Sequence, residues 1–210
     1  MEILREIAAH VENGKNNEVR LLVGKCLEEG IGVSDILNNG LVAGMSSIGI
    51  RFRNNEVFVP EVLMAARAMK SGLEIIKPIL LQEKVPTKGT IIIGTVLGDL
   101  HDIGKNIVCY MLQGAGFDVI DIGIDAPKEK FIEAAQNHGA QVIALSSLLS
   151  TTMSYMKEVM EAVRASEIAG TVKVIVGGAP VTQAFADEIG AHGYASDASG
   201  ASEIVKRLIG

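Results

Sequence analysis

Thr90-Ile91-Ile92-Ile93-Gly94-Thr95-Val96, then Leu97-Gly98-Asp99-Leu100-His101-Asp102-Ile103-Gly104-Lys105, then Asn106-Ile107-Val108-Cys109-Tyr110-Met111-Leu112, reads as a buried strand, a loop and a helix. The first run is apolar and β-branched, and the last has helical spacing. His101 sits between acids on the connecting loop, with Gly104 three residues on. That is the setting of a metal ligand. Asp99 is placed to accept the second N–H of the imidazole, which fixes the tautomer and raises the ring's basicity.

Downstream, strands and helices alternate. Strands are predicted at 90–96, 118–122, 141–146, 172–176 and 193–195, and helices at 104–115, 128–138, 152–166, 181–189 and 200–208. Five such βα units predict an α/β domain of flavodoxin-like, Rossmann-like type: a five-stranded parallel sheet in the order 2-1-3-4-5, helices on both faces. The chain reverses direction between the first and third strands, and ligands bind at that switch point, beyond the strands' carboxyl ends. Three loops open there: Leu97 to Gly104, Ser146-Ser147-Leu148-Leu149-Ser150-Thr151-Thr152, and Gly177-Gly178-Ala179-Pro180. They offer a histidine, a set of hydroxyls, and paired glycines that let something bulky approach the backbone. Each has an ordinary explanation alone: a solvated histidine, a Thr151 or Thr152 cap on the next helix, a simple turn. No phosphate-binding loop or dinucleotide fingerprint is present, and one histidine with nearby acids lacks the three protein ligands of a zinc site.

Upstream, residues 1–83 read as a four-helix bundle, with helices near 2–13, 17–29, 34–52 and 60–82. Ser34 is the expected N-cap of the third, and Pro60 suits the first turn of the fourth. Pro78 is expected to kink that helix or end it early. Gly40 and Gly44, four apart, serve either close helix–helix contact or the approach of a flat ligand. Lys84-Val85-Pro86-Thr87-Lys88-Gly89 is a polar linker, dividing a helical domain, 1–85, from an α/β domain, 88–210.

Composition narrows the function classes. A net charge of −6, with no Trp, lacks the clustered cations and aromatic platforms of nucleic-acid binding. No apolar stretch approaches the ~18–20 residues that span a bilayer, and the charged N-terminus does not read as a signal peptide. Cys26 and Cys109, far apart, exclude a disulfide scaffold and fit free thiols in a reducing cytosol. The expectation is a cytoplasmic protein with no membrane or nucleic-acid partner. His10, His138 and His192 lie elsewhere in the topology and need no role.

Asp99-x-His101-x-x-Gly104, Ser146-x-Leu148 and Gly177-Gly178, in this order and on these loops, resemble the B12-binding signature. The string from Gly98 to Val108 resembles the corrinoid proteins of methylamine and methanol methyltransferase systems and the cobalamin module of methionine synthase. Gly44-Met45, Gly49, Phe52, Phe58-Val59-Pro60-Glu61-Val62 and Ala65-Ala66-Arg67-Ala68-Met69 resemble the helical cap of those proteins, so the likeness covers nearly the whole chain. It implies that His101 binds cobalt as lower axial ligand, displacing the cofactor's own base (base-off, His-on). Asp99 would hold the ring and Thr152, where relatives often carry Ser, would hydrogen-bond Asp99. These three are the implied catalytic residues. Asp102, Ile103, Gly104, Ser146, Leu148, Ser150, Gly177, Gly178 and Ala198 would contact the cofactor or line the channel of its displaced tail between the first and third strands. Phe52 and Val59 would cover the upper, methyl-bearing face, with Val59 smaller than the leucine usual there.

The resemblance implies a corrinoid methyl carrier holding cobalamin or a related corrinoid, methylcobalamin when loaded, inactive alone. Its partners would be a substrate-specific methyltransferase, a second methyltransferase serving coenzyme M or tetrahydrofolate in one-carbon metabolism, and a reductive activator. Release of an imidazole from cobalt couples to protonation, because the free ring titrates near pH ~6.5. The linker at 84–89 is the expected hinge for moving the cap aside. The alternatives are the cobalamin subunit of a radical mutase, which generally lacks the helical cap, a B12-dependent sensor or regulator, and a receiver-like domain without cofactor.

Overall fold

A computed structural model describes residues 2–82 and 87–210. Residues 84–86 of the expected hinge lie outside them. The chain divides into two compact units: residues up to Thr87 with Gln113–Gly116, and Lys88–Leu112 with Phe117–Gly210.

The helical unit is built from four rods. Helix α1 (Glu2–Glu12) buries Leu4, Ile7 and Val11, one stripe at three- and four-residue spacing. Helix α2 (Asn16–Glu28) buries Val19, Val23 and Cys26 in the same way. The third rod has three parts: α3 (Val33–Asp35), a π-helical stretch (Ile36–Val42) and α4 (Ala43–Arg53). The sequence predicts a plain α-helix over 34–52. Asn38-Asn39-Gly40 is a poor α-former, so a wider turn costs little there. Ser34 is not the cap: Gly32 takes that position, and the Asn38 amide donates to the Ser34 carbonyl at 2.9 Å. Gly40 and Gly44 serve helix contact. A side-chain carbon on Gly44 would lie 2.4 Å from the Ala8 carbonyl oxygen, and one on Gly40 3.0 Å from Ile7.

Helix α5 (Val59–Gln82) starts where Pro60 allows, and the Phe58 N–H donates to the Glu61 carboxylate at 3.0 Å. It does not end at Pro78. Glu74, whose carbonyl loses its partner to the proline, and Pro78 itself are both exposed, so the lost bond falls on the solvent side of the helix, where it costs least.

The second unit is a parallel sheet ordered β2-β1-β3-β4-β5. Its strands are β1 (Thr90–Thr95), β2 (Asp118–Asp121), β3 (Val142–Ser146), β4 (Lys173–Gly177) and β5 (Gly193–Ala195). The helices between and after them are α6 (Ile103–Gly114), α7 (Lys128–His138), α8 (Met153–Arg164), α9 (Gln183–Ile189) and α10 (Ala198–Ile209). Helix α9 begins two residues later than the sequence predicts because Thr182 caps it, accepting from the Phe185 N–H. Helix α10 begins two earlier because Asp197 caps it, accepting from Gly200. On one sheet face Ile92, Ile143, Leu145, Val174 and Val176 pack with Phe131, Met156, Val159 and Met160. Each such side chain contributes roughly 1.5–3 kcal/mol by burial. The register aligns Thr95 with Ser146, Ser146 with Gly177 and Gly177 with Ala195, so four strands end in one row.

Candidate functional site

The loops leaving that row carry the site. Asp99 follows β1 and is fully buried, whereas the His101 side chain is 50% exposed. One carboxylate oxygen of Asp99 accepts from the His101 N–H at 3.1 Å and from ring Nδ1 at 2.7 Å. The other accepts from the N–H groups of Leu148 at 2.7 Å and Leu149 at 3.2 Å, and from the Thr152 hydroxyl at 2.9 Å. The Ser147 hydroxyl, also buried, lies 2.8 Å from that of Thr152. Burial alone would raise the pKa of Asp99. The hydrogen bonds from Leu148, the His101 backbone and ring, and Thr152 outweigh it and hold the carboxyl well below the usual carboxylate range.

An ionised carboxylate only accepts, so Nδ1 carries the hydrogen of this contact. In the neutral ring the lone pair is then on Nε2. The backbone is held as firmly: the Thr95 hydroxyl donates to the His101 carbonyl at 2.8 Å. The loop thus presents one oriented imidazole nitrogen. Among the described residues, no three His, Cys, Asp or Glu side chains converge into a metal-holding group.

The residues expected to act together fall into four sets. Asp99, His101 and Thr152 are joined directly, with Leu148 contributing its backbone N–H. Thr152 stands at the N-cap position of α8 but makes no cap, its hydroxyl being used by Asp99. Ser146 and Gly177 are paired in register. Asp102 and Ser150 are exposed on the loops, Ile103 and Gly104 are exposed at the start of α6, and Ala198 is buried at the start of α10. Phe52 in α4 and Val59 at the start of α5, both half-buried, belong to the helical unit.

Gly177 and Gly178 admit protein backbone. Gly178 has φ 130, and a side-chain carbon there would lie 1.8 Å from the Ser147 carbonyl oxygen; on Gly177 it would lie 2.9 Å from that of Ala195. At Gly104, by contrast, a side-chain carbon would meet nothing within 4 Å. The same edge carries exposed Leu97, Leu100, Ile103, Ile124, Leu148 and Leu149, with Leu100 at 67% and Ile103 at 68% exposure. Isolated surface leucines are ordinary, but here six large apolar side chains are exposed on the strand-end loops and the first turn of α6.

Sequence reasoning missed three features. Ser147 is one; its twin Ser146 drew the attention, and only the loop's path turns Ser147 inward. The backbone donors of Leu148 and Leu149 are another. The third is Lys105, which is 3% exposed. Its ammonium donates to the Asn106 side chain at 2.8 Å and to Asp121 at 2.5 Å, and Asp121 also accepts from the Gly123 N–H at 2.9 Å. This ties α6 to the end of β2. A lysine in the first turn of an apolar helix, with an acid closing a neighbouring strand, was the available signal.

Comparison with known proteins places this geometry. A family described as B12 binding domain matches residues 89–202, and a second with the same description matches residues 3–77. A dimethylamine corrinoid protein of Methanosarcina acetivorans is 44% identical over 209 residues, covering 99% of this chain and 98% of its own. A corrinoid protein of Desulfitobacterium hafniense is 40% identical over 213 residues, covering 100% of this chain and 99% of its own. The methanol:cobalamin methyltransferase complex MtaBC of Methanosarcina barkeri contains a chain that superposes with a TM-score of 0.87 at 30% identity, over 99% of this chain and 80% of that one. With both halves matched and relatives alike from end to end, the chain belongs to the B12-binding corrinoid proteins.

Proposed function

We propose that this protein is a methyl carrier whose His101 coordinates the cobalt of a corrinoid through Nε2. On this reading it shuttles a methyl group from a substrate-specific methyltransferase to a second methyltransferase acting on coenzyme M or tetrahydrofolate, with a reductive activator restoring lapsed cofactor. One observation carries the reading: the half-exposed His101 ring has Nδ1 held 2.7 Å from a fully buried carboxylate, which leaves the lone pair of Nε2 for a ligand.

The surroundings fit a large, partly apolar macrocycle. The exposed aliphatic side chains supply apolar contact, and the open space at Gly104 leaves room against the backbone. Bound there, the corrinoid supplies a cobalt centre that accepts and returns a methyl group. The chain does the rest. Asp99 orients the imidazole and stabilises it when it takes a proton, and Thr152 keeps Asp99 ionised and aimed. We assign Asp102, Ile103, Gly104, Ser146, Leu148, Ser150, Gly177, Gly178 and Ala198 to cofactor and tail contacts, and Phe52 and Val59 to exclusion of water from the reactive face. The names of the relatives point to methylated amines and methanol as first donors to test. The matched helical half, together with those names, favours a methyl carrier over a radical mutase subunit.

The test is His101→Ala. The variant is expected to fold, to retain part of its corrinoid, and to lose the imidazole nitrogen coupling in the Co(II) EPR spectrum. A spectrum identical to that of the parent protein refutes the ligand assignment.

A further inference from the structure

Asp125, in the turn between β2 and α7, has φ 50 and is one of two non-glycine residues at positive φ among those described. A left-handed aspartate is strained by about 1 kcal/mol or more and persists where its surroundings require it. The surroundings here are the histidine loop. The Asp125 carboxylate accepts from the Gly98 N–H at 2.7 Å, and its own N–H donates to the Asp99 carbonyl at 3.0 Å. One residue thus grips the backbone on both sides of the Asp99 α-carbon. Gly98, at φ 80, bends the chain to meet it. Neighbouring bonds, Thr95 N–H to the Gly123 carbonyl and Ala126 N–H to the Thr95 carbonyl, simply extend the sheet. The Asp125 bonds do not. They reach past the strand end to the residue that holds the imidazole.

We propose that Asp125 is a positioning residue for the cobalt ligand. It fixes the frame from which the Asp99 side chain projects, and through Asp99 sets the direction of His101 Nε2, without touching the ring. This rests on the reading of His101 as cobalt ligand. The requirement is specific: the position needs left-handed backbone and a short side-chain oxygen for the Gly98 N–H. Aspartate and asparagine meet both conditions. Glycine meets only the first, so Asp125→Gly keeps the turn and its N–H while removing the acceptor.

The experiment compares the parent, Asp125→Asn and Asp125→Gly as full-length chains. Each is loaded with cobalamin and reduced to Co(II), and EPR reads the fraction showing imidazole nitrogen coupling. The corrinoid-free chains are compared by proton NMR, which reads the downfield Nδ1–H resonance of His101, assigned by its absence in His101→Ala. Thermal melts accompany both. The expected result is a several-fold fall in the coupled fraction and a broadened or lost Nδ1–H signal in Asp125→Gly, at a melting temperature near the parent's, with Asp125→Asn like the parent. Parent-like spectra for Asp125→Gly, or equal losses in the Asn and Gly variants, overturn the proposal. If the parent itself shows no imidazole coupling, the ligand reading fails instead, and the corrinoid-free signal still reports whether Asp125 sets the ring.

Discussion

Asp99 is a buried negative charge sustained by hydrogen bonds alone, and its behaviour with pH follows. Its folded-state pKa lies below the usual value, so the unfolded chain binds the proton more readily. The stability it contributes is present in full above about pH 4 and is lost as pH falls below that. Asp99→Asn should give a shallower fall of unfolding free energy on acidification. At neutral pH it should cost about 1–3 kcal/mol, because its amide group sets donors against the Leu148, Thr152 or His101 donors. Urea titrations across a pH series check both. Asp99 and His101 were legible in the sequence because their side chains announce their chemistry two residues apart, whereas Thr152 read by itself was a helix cap and only the family resemblance gave it to Asp99. Leu148 and Leu149 were not legible as donors, since every residue has a backbone N–H and only the loop's path decides which of them points inward.

The elements were legible to different degrees, for physical reasons. Strands of a parallel sheet are short apolar runs bounded by glycine and polar loops, so β1, β3 and β4 stood out. The π-helical turn at Ile36–Val42 shares its composition with an α-helix and leaves no separate mark. Helix α5 runs on past Pro78, because a proline's effect depends on which side of the helix its orphaned carbonyl faces. The tie between α6 and β2 was hidden because Lys105 and Asp121 are sixteen residues apart and meet only through the fold. Asp121→Ala should strand the buried ammonium and destabilise the protein by about 3 kcal/mol. Asp121→Asn should cost less, and denaturant unfolding of both variants measures the difference.

At the scale of the molecule, the strand order followed from the alternation of five βα units, read as a flavodoxin-like arrangement with order 2-1-3-4-5. Among the described residues, no helix is long and apolar enough to cross a membrane. Both cysteines are buried free thiols, and burial, aided by Asp121, pushes Cys109 up to about 12. What the sequence hid at this scale is how the strand-end loops pack on one another. Gly177-Gly178 read as room for a ligand, and at Gly178 the place a side chain would take abuts the Ser147 carbonyl oxygen. Gly178→Ala should therefore sharply lower folded yield and melting temperature before any cofactor is added, and thermal melts of corrinoid-free protein test it. Saturation mutagenesis scored by growth would rank Gly178 among the least tolerant positions, beside His101, for unrelated reasons. A parallel library scored by cellular abundance would part the two: Gly178 variants would be depleted in both assays, His101 variants in growth alone.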